Sequence, residues 1–152
     1  MWSKEEAKTM RLEFWNGFKR YCYRNSIYRK WVLTGVKIKF TQLKFFVDRQ
    51  KALVLFQIDH KNDLIRYEVY ERFQAYRKLW TLECGEDLLW EEDFYEMEDK
   101  AVSAIYFKLD GVNLYRKDDW DKVYAFFAEK MPLLEEVYWE YRDLLTDTDI
   151  NL

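Results

Sequence analysis

The feature that most constrains the fold of this 152-residue chain is a run that is apolar on both of its sides, "KALVLFQID", from Lys51 to Asp59. Side chains of an extended strand alternate between two faces. Here one face would carry Ala52, Val54, Phe56 and Ile58, and the other Leu53 and Leu55. A strand that must bury both faces lies inside a sheet with cover on each side. We therefore predict a central strand.

Partners for this strand are found on both sides of it in the chain. Leu43 to Asp48 reads as the preceding strand, and the bend falls at Arg49–Gln50. A second hairpin is predicted from "LLWEEDFYE" and "KAVSAIYFKL", with its turn at Glu98–Asp99. The segment "GVKIKF", after a turn at Thr34–Gly35, alternates apolar and basic residues and is compatible with a further short strand outside the two hairpins.

The first helix is marked by a start signal and a long apolar period. Ser3 and Glu6 form the pattern of a capping box, in which each side chain bonds the other residue's backbone N–H. Apolar residues then recur every three to four positions, among them Met10, Phe14 and Phe18. This spacing predicts a helix from about residue 4 to residue 24.

Two more helices are predicted by caps and stops. Asn62 or Asp63 caps a second helix, for which Gly85 is the stop. Asp118 is predicted to cap a third helix. Pro132 lies inside that third helix, and a proline there removes a backbone donor and restricts the residue before it. We therefore expect a kink or a break at this point.

The predicted order is α-β-β-α-β-β-α. Hairpins that alternate with helices are typical of an α+β fold, in which an antiparallel sheet packs against the three helices. No linker rich in Pro, Gly or Ser divides the chain, so residues 1–152 are expected to form a single domain. The acidic end of the chain, from about residue 146 to residue 152, is expected to be a loose tail.

The composition indicates surface contacts of two kinds. Aromatic residues make up 20% of the chain, more than one small core readily buries, which predicts exposed rings or a homo-oligomer contact. The net charge of −3 conceals a split. Lys19 to Lys51 contains ten Lys or Arg and one acid, whereas Glu83 to Asp99 contains nine acids and no Lys or Arg. This split predicts either two solvated faces of unlike sign or self-complementary association.

A basic and aromatic stretch, "KRYCYRNSIYRKW" from Lys19 to Trp31, is the candidate binding surface. Cationic side chains can contact phosphates, and tyrosine or tryptophan can stack on bases. Tyr21 and Cys22 are expected to face the core. The residues left as a possible binding surface are Lys19, Arg20, Tyr23, Arg24, Arg29 and Lys30. The alternative is an ordinary helix end, where cations are favoured by the helix dipole.

Several function classes are excluded by what the chain contains. Two distant cysteines, Cys22 and Cys84, and one histidine, His60, provide neither a disulfide framework nor a Cys/His zinc site. The cysteines are expected to be buried, and His60 is expected to be a hydrogen-bonded structural or capping group. The start "MWSKEEAKTM" does not resemble a signal peptide, and the longest apolar run, "ALVLF", is too short to span a membrane. A cytoplasmic protein without a metal, a cofactor or a membrane partner is expected.

The chain also resembles a known family through a series of segments in the same order. These segments are "SKEEAKTMRLEFWNGF", "LTGVKIKF", "NDLIRYEVYERF", "LDGVNLYRKDDW" and "VYAFFAEKMPLLEEVYWEY". They look like the bacterial domains of unknown function numbered 4268, and the similarity covers nearly the whole chain. Some longer relatives carry such a domain after a nuclease-like region, so the resemblance implies nucleic-acid metabolism or defence for those longer proteins. It implies no catalytic residue here, because the family has no established active site.

A nuclease-type metal site does not fit the predicted hairpin. Such sites combine one carboxylate with an acid-x-Lys triplet on the next strand. Asp48 and the triplet Asp59-His60-Lys61 match this pattern in residue type but not in position. The bend at residues 49–50 places Asp48 opposite residue 51 or 52, and Asp59 then lies roughly 25 Å away at about 3.3 Å per residue. No catalytic residue is therefore predicted.

The sequence favours a non-catalytic binding or self-association module whose partner is itself or another protein. The alternative is an accessory nucleic-acid-binding domain that uses the basic and aromatic stretch. An enzyme with an unfamiliar site is the third possibility. No cofactor is expected for any of the three.

Overall fold

The computed structural model describes residues 3–27, 40–95 and 101–146, with side chains as far as residue 140 in the last range. The elements within these ranges, in chain order, are α1 (Lys4–Arg24), β1 (Thr41–Val47), β2 (Lys51–Ile58), α2 (Asp63–Gln74), α3 (Arg77–Cys84), β3 (Leu89–Phe94), β4 (Val102–Asp110) and α4 (Trp120–Thr146). Two antiparallel hairpins between helices confirm the predicted α+β class.

Some predictions lie outside the described residues. They are the turn at Thr34–Gly35 with its strand, the turn at Glu98–Asp99, and the tail beyond Thr146. The predicted bounds of the first helix and the first hairpin agree closely with those of α1, β1 and β2. The capping box at the start of α1 is present, since the Ser3 hydroxyl accepts from the Glu6 N–H and the Glu6 carboxylate accepts from the Ser3 N–H.

The sheet has the strand order β1-β2-β4-β3, and all neighbouring strands are antiparallel. β2 therefore lies between two strands, and every one of its residues is buried. The register fixes this arrangement, because Val54 faces Phe45 on one side and Phe107 on the other. The prediction of a central strand covered on both faces is confirmed.

The two faces of the sheet differ in what packs on them. The larger core cluster joins one face to all four helices, through residues such as Phe14, Val69, Trp80 and Phe127. The smaller cluster on the other face consists of strand residues among those described, namely Phe46, Leu53, Leu55, Phe94, Val102, Ala104 and Tyr106. The four helices therefore form a layer on one side of the sheet.

The second predicted helix is divided into α2 and α3, which corrects the expectation of one helix as far as Gly85. The chain turns after α2, where the N–H of Tyr76 donates to the carbonyl of Phe73. In an unbroken helix, residues seven apart are separated by about 10 Å along the axis. The turn instead brings the rings of Phe73 and Trp80 to 6.3 Å, and both contact Phe56 at 5.2 and 5.4 Å.

The start and the middle of α4 also differ from expectation. Asp118 lies in a short 3-10 turn, Lys117–Asp119, and α4 begins after it at Trp120. The helix then continues through Pro132, so of the two expected outcomes, a kink or a break, the break does not occur. An interior proline costs about 3 kcal/mol or more. Complete burial of Met131 and Leu134 beside it offsets that cost.

A close contact between α1 and α4 depends on a glycine. The hydroxyl of Tyr124 donates to the carbonyl of Phe14 at 2.6 Å, and burial raises the pKa of Tyr124 to about 12. Tyr124 reaches this carbonyl over Gly17, where a Cβ atom would overlap its hydroxyl oxygen. Gly17 therefore permits the approach of the two helices.

Replacement of Gly17 by alanine tests this contact. We expect Gly17→Ala to lower the free energy of unfolding by about 1–3 kcal/mol through overpacking, even though alanine improves helix propensity by about 1 kcal/mol. Urea unfolding followed by circular dichroism measures the change. In a Tyr124→Phe background the hydroxyl is absent, so the same substitution should be less destabilising by at least about 1 kcal/mol. Equal effects in the two backgrounds would contradict the contact.

Candidate functional site

The second half of α1 exposes a compact group of cationic and aromatic side chains. Lys19, Arg20, Tyr23 and Arg24 are all exposed, and Tyr23 has 72% of its surface accessible. Spacings of three and four residues place Lys19 and Arg20 one turn before Tyr23, on the same side of the helix. We call these four residues the basic face. Arg29 and Lys30, the other two predicted surface residues, lie outside the described residues.

The opposite side of the same segment holds it to the core. Cys22 is buried, and the half-buried ring of Tyr21 lies 5.6 Å from the ring of Tyr124. The helix ends at Asn25, whose side-chain amide donates to the carbonyl of Tyr21 at 2.8 Å. Beyond it, the N–H of Ile27 donates to the carbonyl of Cys22 at 2.8 Å. The basic face is therefore presented by an anchored helix end.

The described acidic residues of the segment Glu83–Asp99 lie on and near β3, at one edge of the sheet. β3 is the edge strand, and both it and the turn before it carry exposed carboxylates. We call these residues the acidic edge: Glu86, Asp87, Glu91 and Glu92. α1 lies beside the opposite edge strand, since Phe18 contacts Phe45 of β1 at 5.3 Å. For the charged residues that the structure describes, the basic face and the acidic edge thus lie at opposite edges of one sheet.

A buried arginine, which the sequence analysis missed, organises the bulged end of β3. Arg66 on α2 is completely buried. Its guanidinium donates to the carbonyl of Glu92 at 2.6 Å, to the Ser103 hydroxyl at 2.9 Å and to the Asp93 carboxylate at 2.8 Å. The β3–β4 register shifts between Glu91 and Phe94, so Arg66 binds the strand where regular pairing is interrupted.

A signal for this arginine was present in the helical spacing. Arg66 lies three, four and seven residues before Val69, Tyr70 and Phe73, which are all buried. A cation on that face of α2 must find acceptors, because burial of an unpaired charge is unfavourable. Periodicity could have identified the buried position, but not its partners on β3 and β4.

The electrostatics of this cluster favour its charged form. The hydrogen bond from Arg66 is the main reason that the pKa of Asp93 is lowered. The Tyr67 hydroxyl also donates to Asp93, at 2.9 Å, and this bond raises the pKa of Tyr67. Burial works against the charge of Arg66, but the hydrogen bonds to Asp93 and Asp63 raise its pKa overall. The cluster therefore binds α2 to β3 as a structural ion pair.

The carboxylates considered for a nuclease site lie apart, as the sequence analysis concluded. Asp48 accepts from the backbone N–H groups of Gln50 and Lys51 in the first hairpin turn. Asp59 follows the far end of β2, where Gln42 and Gln57 each donate to it at 3.2 Å. Among the described residues, no group of three or more His, Cys, Asp or Glu side chains could hold a metal ion.

The histidine and the two cysteines, which are the other residues considered for chemistry, have contacts typical of structural residues. Nδ1 of His60 accepts from the N–H of Asn62 at 2.9 Å, and its ring packs edge-on against Phe40 at 4.3 Å. His60 is thus the hydrogen-bonded structural group that was expected. Cys84 is buried like Cys22, and burial raises the pKa of the Cys84 thiol to about 12. In the part of the chain that is described, no helix is long and apolar enough to cross a membrane.

Comparison with known proteins identifies the family. The family model described as "Domain of unknown function (DUF4268)" matches residues 10–142. The chain belongs to the DUF4268 family. The match begins at Met10, the first buried residue of α1, and ends within α4, so it includes the whole sheet and the Arg66 cluster. The resemblance inferred from the sequence is confirmed. No curated protein and no solved structure was found to match the chain.

Replacement of Asp93 tests the buried ion pair through pH. Because its folded-state pKa is lowered, Asp93 stabilises the fold above the pKa of an unfolded aspartate, about 3.9. That contribution is lost as the pH falls through the lowered folded-state pKa. We expect Asp93→Asn to lower the free energy of unfolding by about 1 kcal/mol at pH 7, a modest value because the side chain is 40% exposed and solvent screens it.

Urea unfolding at a series of pH values measures this effect. The curves of Asp93→Asn and the parent protein should converge at acid pH, because the aspartate is then protonated. Asp87→Asn, a matched change at an exposed residue in the turn before β3, is the control. A constant difference between Asp93→Asn and the parent protein at all pH values would contradict the charged pair.

Proposed function

We propose that the chain is a non-catalytic binding module that docks an acidic protein surface on the basic face of α1. One observation carries the proposal: Lys19, Arg20, Tyr23 and Arg24 are exposed together at the anchored end of α1. The three cations of the basic face, Lys19, Arg20 and Arg24, form no ion pair within the described residues. Carboxylates of a partner would meet exposed donors that no described carboxylate pairs with.

The same side of α1 adds apolar contact area to this charge. Leu12 is 61% exposed and lies on the side of α1 that carries Lys19 and Tyr23, at spacings of seven and eleven residues. Aromatic residues are enriched at the centres of protein interfaces, where they bury much area with little loss of conformational freedom. Tyr23, with cations on both flanks, has the character of such a contact residue.

A second candidate function is binding of single-stranded nucleic acid. The observation that favours it is the exposed ring of Tyr23 beside Lys19 and Arg20. Rings that stack on bases next to cations that contact phosphates are the common elements of such sites. This function would use the same basic face. The two candidate functions therefore differ in the ligand and in how much Tyr23 contributes to the affinity.

We also infer that the protein is cytoplasmic. Cys22 and Cys84 are free thiols buried in different helices, as suits a reducing compartment.

Neutralisation of the basic face tests the proposed function. The variant Lys19→Gln/Arg20→Gln/Arg24→Gln should bind fluorescent polyglutamate at least about tenfold more weakly than the parent protein at low salt. The reason is that the cations of the basic face, which the variant lacks, supply the attraction. Fluorescence anisotropy measures the binding. The matched control, Lys61→Gln/Lys78→Gln/Lys122→Gln, removes three exposed cations elsewhere and should retain most of the binding. Equal losses in the two variants would show that only net charge matters.

Oligothymidine with a charge similar to that of the polyglutamate probe distinguishes the two candidate functions. The protein candidate predicts that Tyr23→Ser has a small effect on this probe. If oligothymidine binds more tightly than polyglutamate and Tyr23→Ser weakens that binding by about 5-fold or more, the value of one stacked base, nucleic acid is the ligand. If neither probe binds at low salt, the proposed function is wrong.

A further inference from the structure

We propose that the acidic protein surface is a second copy of this chain, whose acidic edge docks on the basic face of α1. This inference rests on the proposed function and names its partner. It would join copies head to tail, with one donor edge and one acceptor edge on every molecule.

The first step is the distance between the two groups. The strand order β1-β2-β4-β3 puts β1 and β3 at opposite edges, about 14 Å apart at ~4.8 Å per strand. α1 packs on the β1 side through Phe18 and Trp15, which contact Phe45. The basic face therefore cannot reach the acidic edge of its own molecule. It can meet the acidic edge of another.

The second step is the character of the acidic edge. The carboxylates of Glu86, Asp87 and Glu92 form no ion pair within the described residues, and Glu91 accepts a hydrogen bond from the Tyr106 hydroxyl at 3.0 Å. Arg66 neutralises Asp93, so the charge open to a partner comes from these four acids. β3 pairs only with β4 among the described strands, so its outer side is a free edge of the sheet that these strands form.

The third step is complementarity. Three cations surround the exposed Tyr23 on one edge, and four carboxylates accompany exposed apolar groups on the other, with Leu89 at 41% and Tyr95 at 65% exposure. Opposite charges around apolar contacts provide both attraction and area. The net charge of −3 on each copy opposes association in every orientation, so the attraction must come from this local match of opposite charges.

This geometry determines how assembly would grow. A contact between two different surfaces is heterologous, and it leaves one surface of each kind unused at the two ends of a dimer. Further copies can add to those ends, so the mean mass should rise continuously with concentration. An interface based on exposed charges is also sensitive to salt, since screening acts over ~30 Å at about 0.01 M and only ~3 Å at about 1 M ionic strength.

Sedimentation velocity and light scattering of the full chain test the inference. At low ionic strength, the weight-average mass of the parent protein should rise with concentration beyond that of a dimer. High salt should return the protein to a monomer. A monomer at all concentrations in low salt, or a dimer that forms equally well in high salt, would overturn the proposal.

Two neutralised variants provide a sharper test. Lys19→Gln/Arg20→Gln/Arg24→Gln loses the basic face and keeps the acidic edge. Glu86→Gln/Asp87→Asn/Glu91→Gln/Glu92→Gln loses the charge of the acidic edge, keeps an acceptor for Tyr106, and retains the basic face. Each variant alone should be monomeric. An equimolar mixture should form a 1:1 complex of roughly twice the monomer mass and no larger species, because only one intact interface remains.

The outcomes distinguish this inference from the proposed function. A mixture that stays monomeric overturns head-to-tail assembly, as does association of the basic-face variant on its own. If all the proteins are monomeric but the basic face still binds polyglutamate, the partner is another acidic protein. If the basic face binds oligothymidine instead, nucleic acid is the ligand. The control Lys61→Gln/Lys78→Gln/Lys122→Gln should assemble as the parent protein does, and its failure to do so would show a dependence on net charge alone.

Discussion

The structure depends on the two-sided burial of β2. Every residue of this strand is buried, which is possible only if strands flank it and other residues cover both of its faces. Its two polar residues are accommodated at its ends. Lys51 pairs with Asp48 at 2.9 Å, and Gln57 donates to Asp59 at 3.2 Å. Apolar burial therefore continues along the strand without an isolated charge inside it.

The central position of β2 determines where the basic face, the acidic edge and Arg66 lie. The helices form one layer on one face of the sheet, and α1 and β3 come to lie at opposite edges. Arg66 then joins the helical layer to the edge strand through the carbonyl of Glu92 and the carboxylate of Asp93. The basic face is thus separated from the acidic edge of its own chain by the width of the sheet.

Much of this could be predicted from local patterns. The capping box at Ser3, the Asn62 cap and the bend after Asp48 each involve residues within three positions of one another, so short segments contain the full signal. The division between α2 and α3 could not be predicted in this way. It depends on the joint contact of Phe73 and Trp80 with Phe56, which belongs to a distant strand.

The candidate site shows the same division between local and long-range information. The sequence by itself determined the first helix with its amphipathic end, the first hairpin and the central strand, because periodicity and capping act between neighbours along the chain. Only the tertiary structure decided that the basic and acidic segments lie at opposite edges, and that Arg66 is bound by residues 26 and 37 positions away. Such pairings are set by strand order and by the burial of a charge among acceptors, and neither has a periodic signature in the sequence.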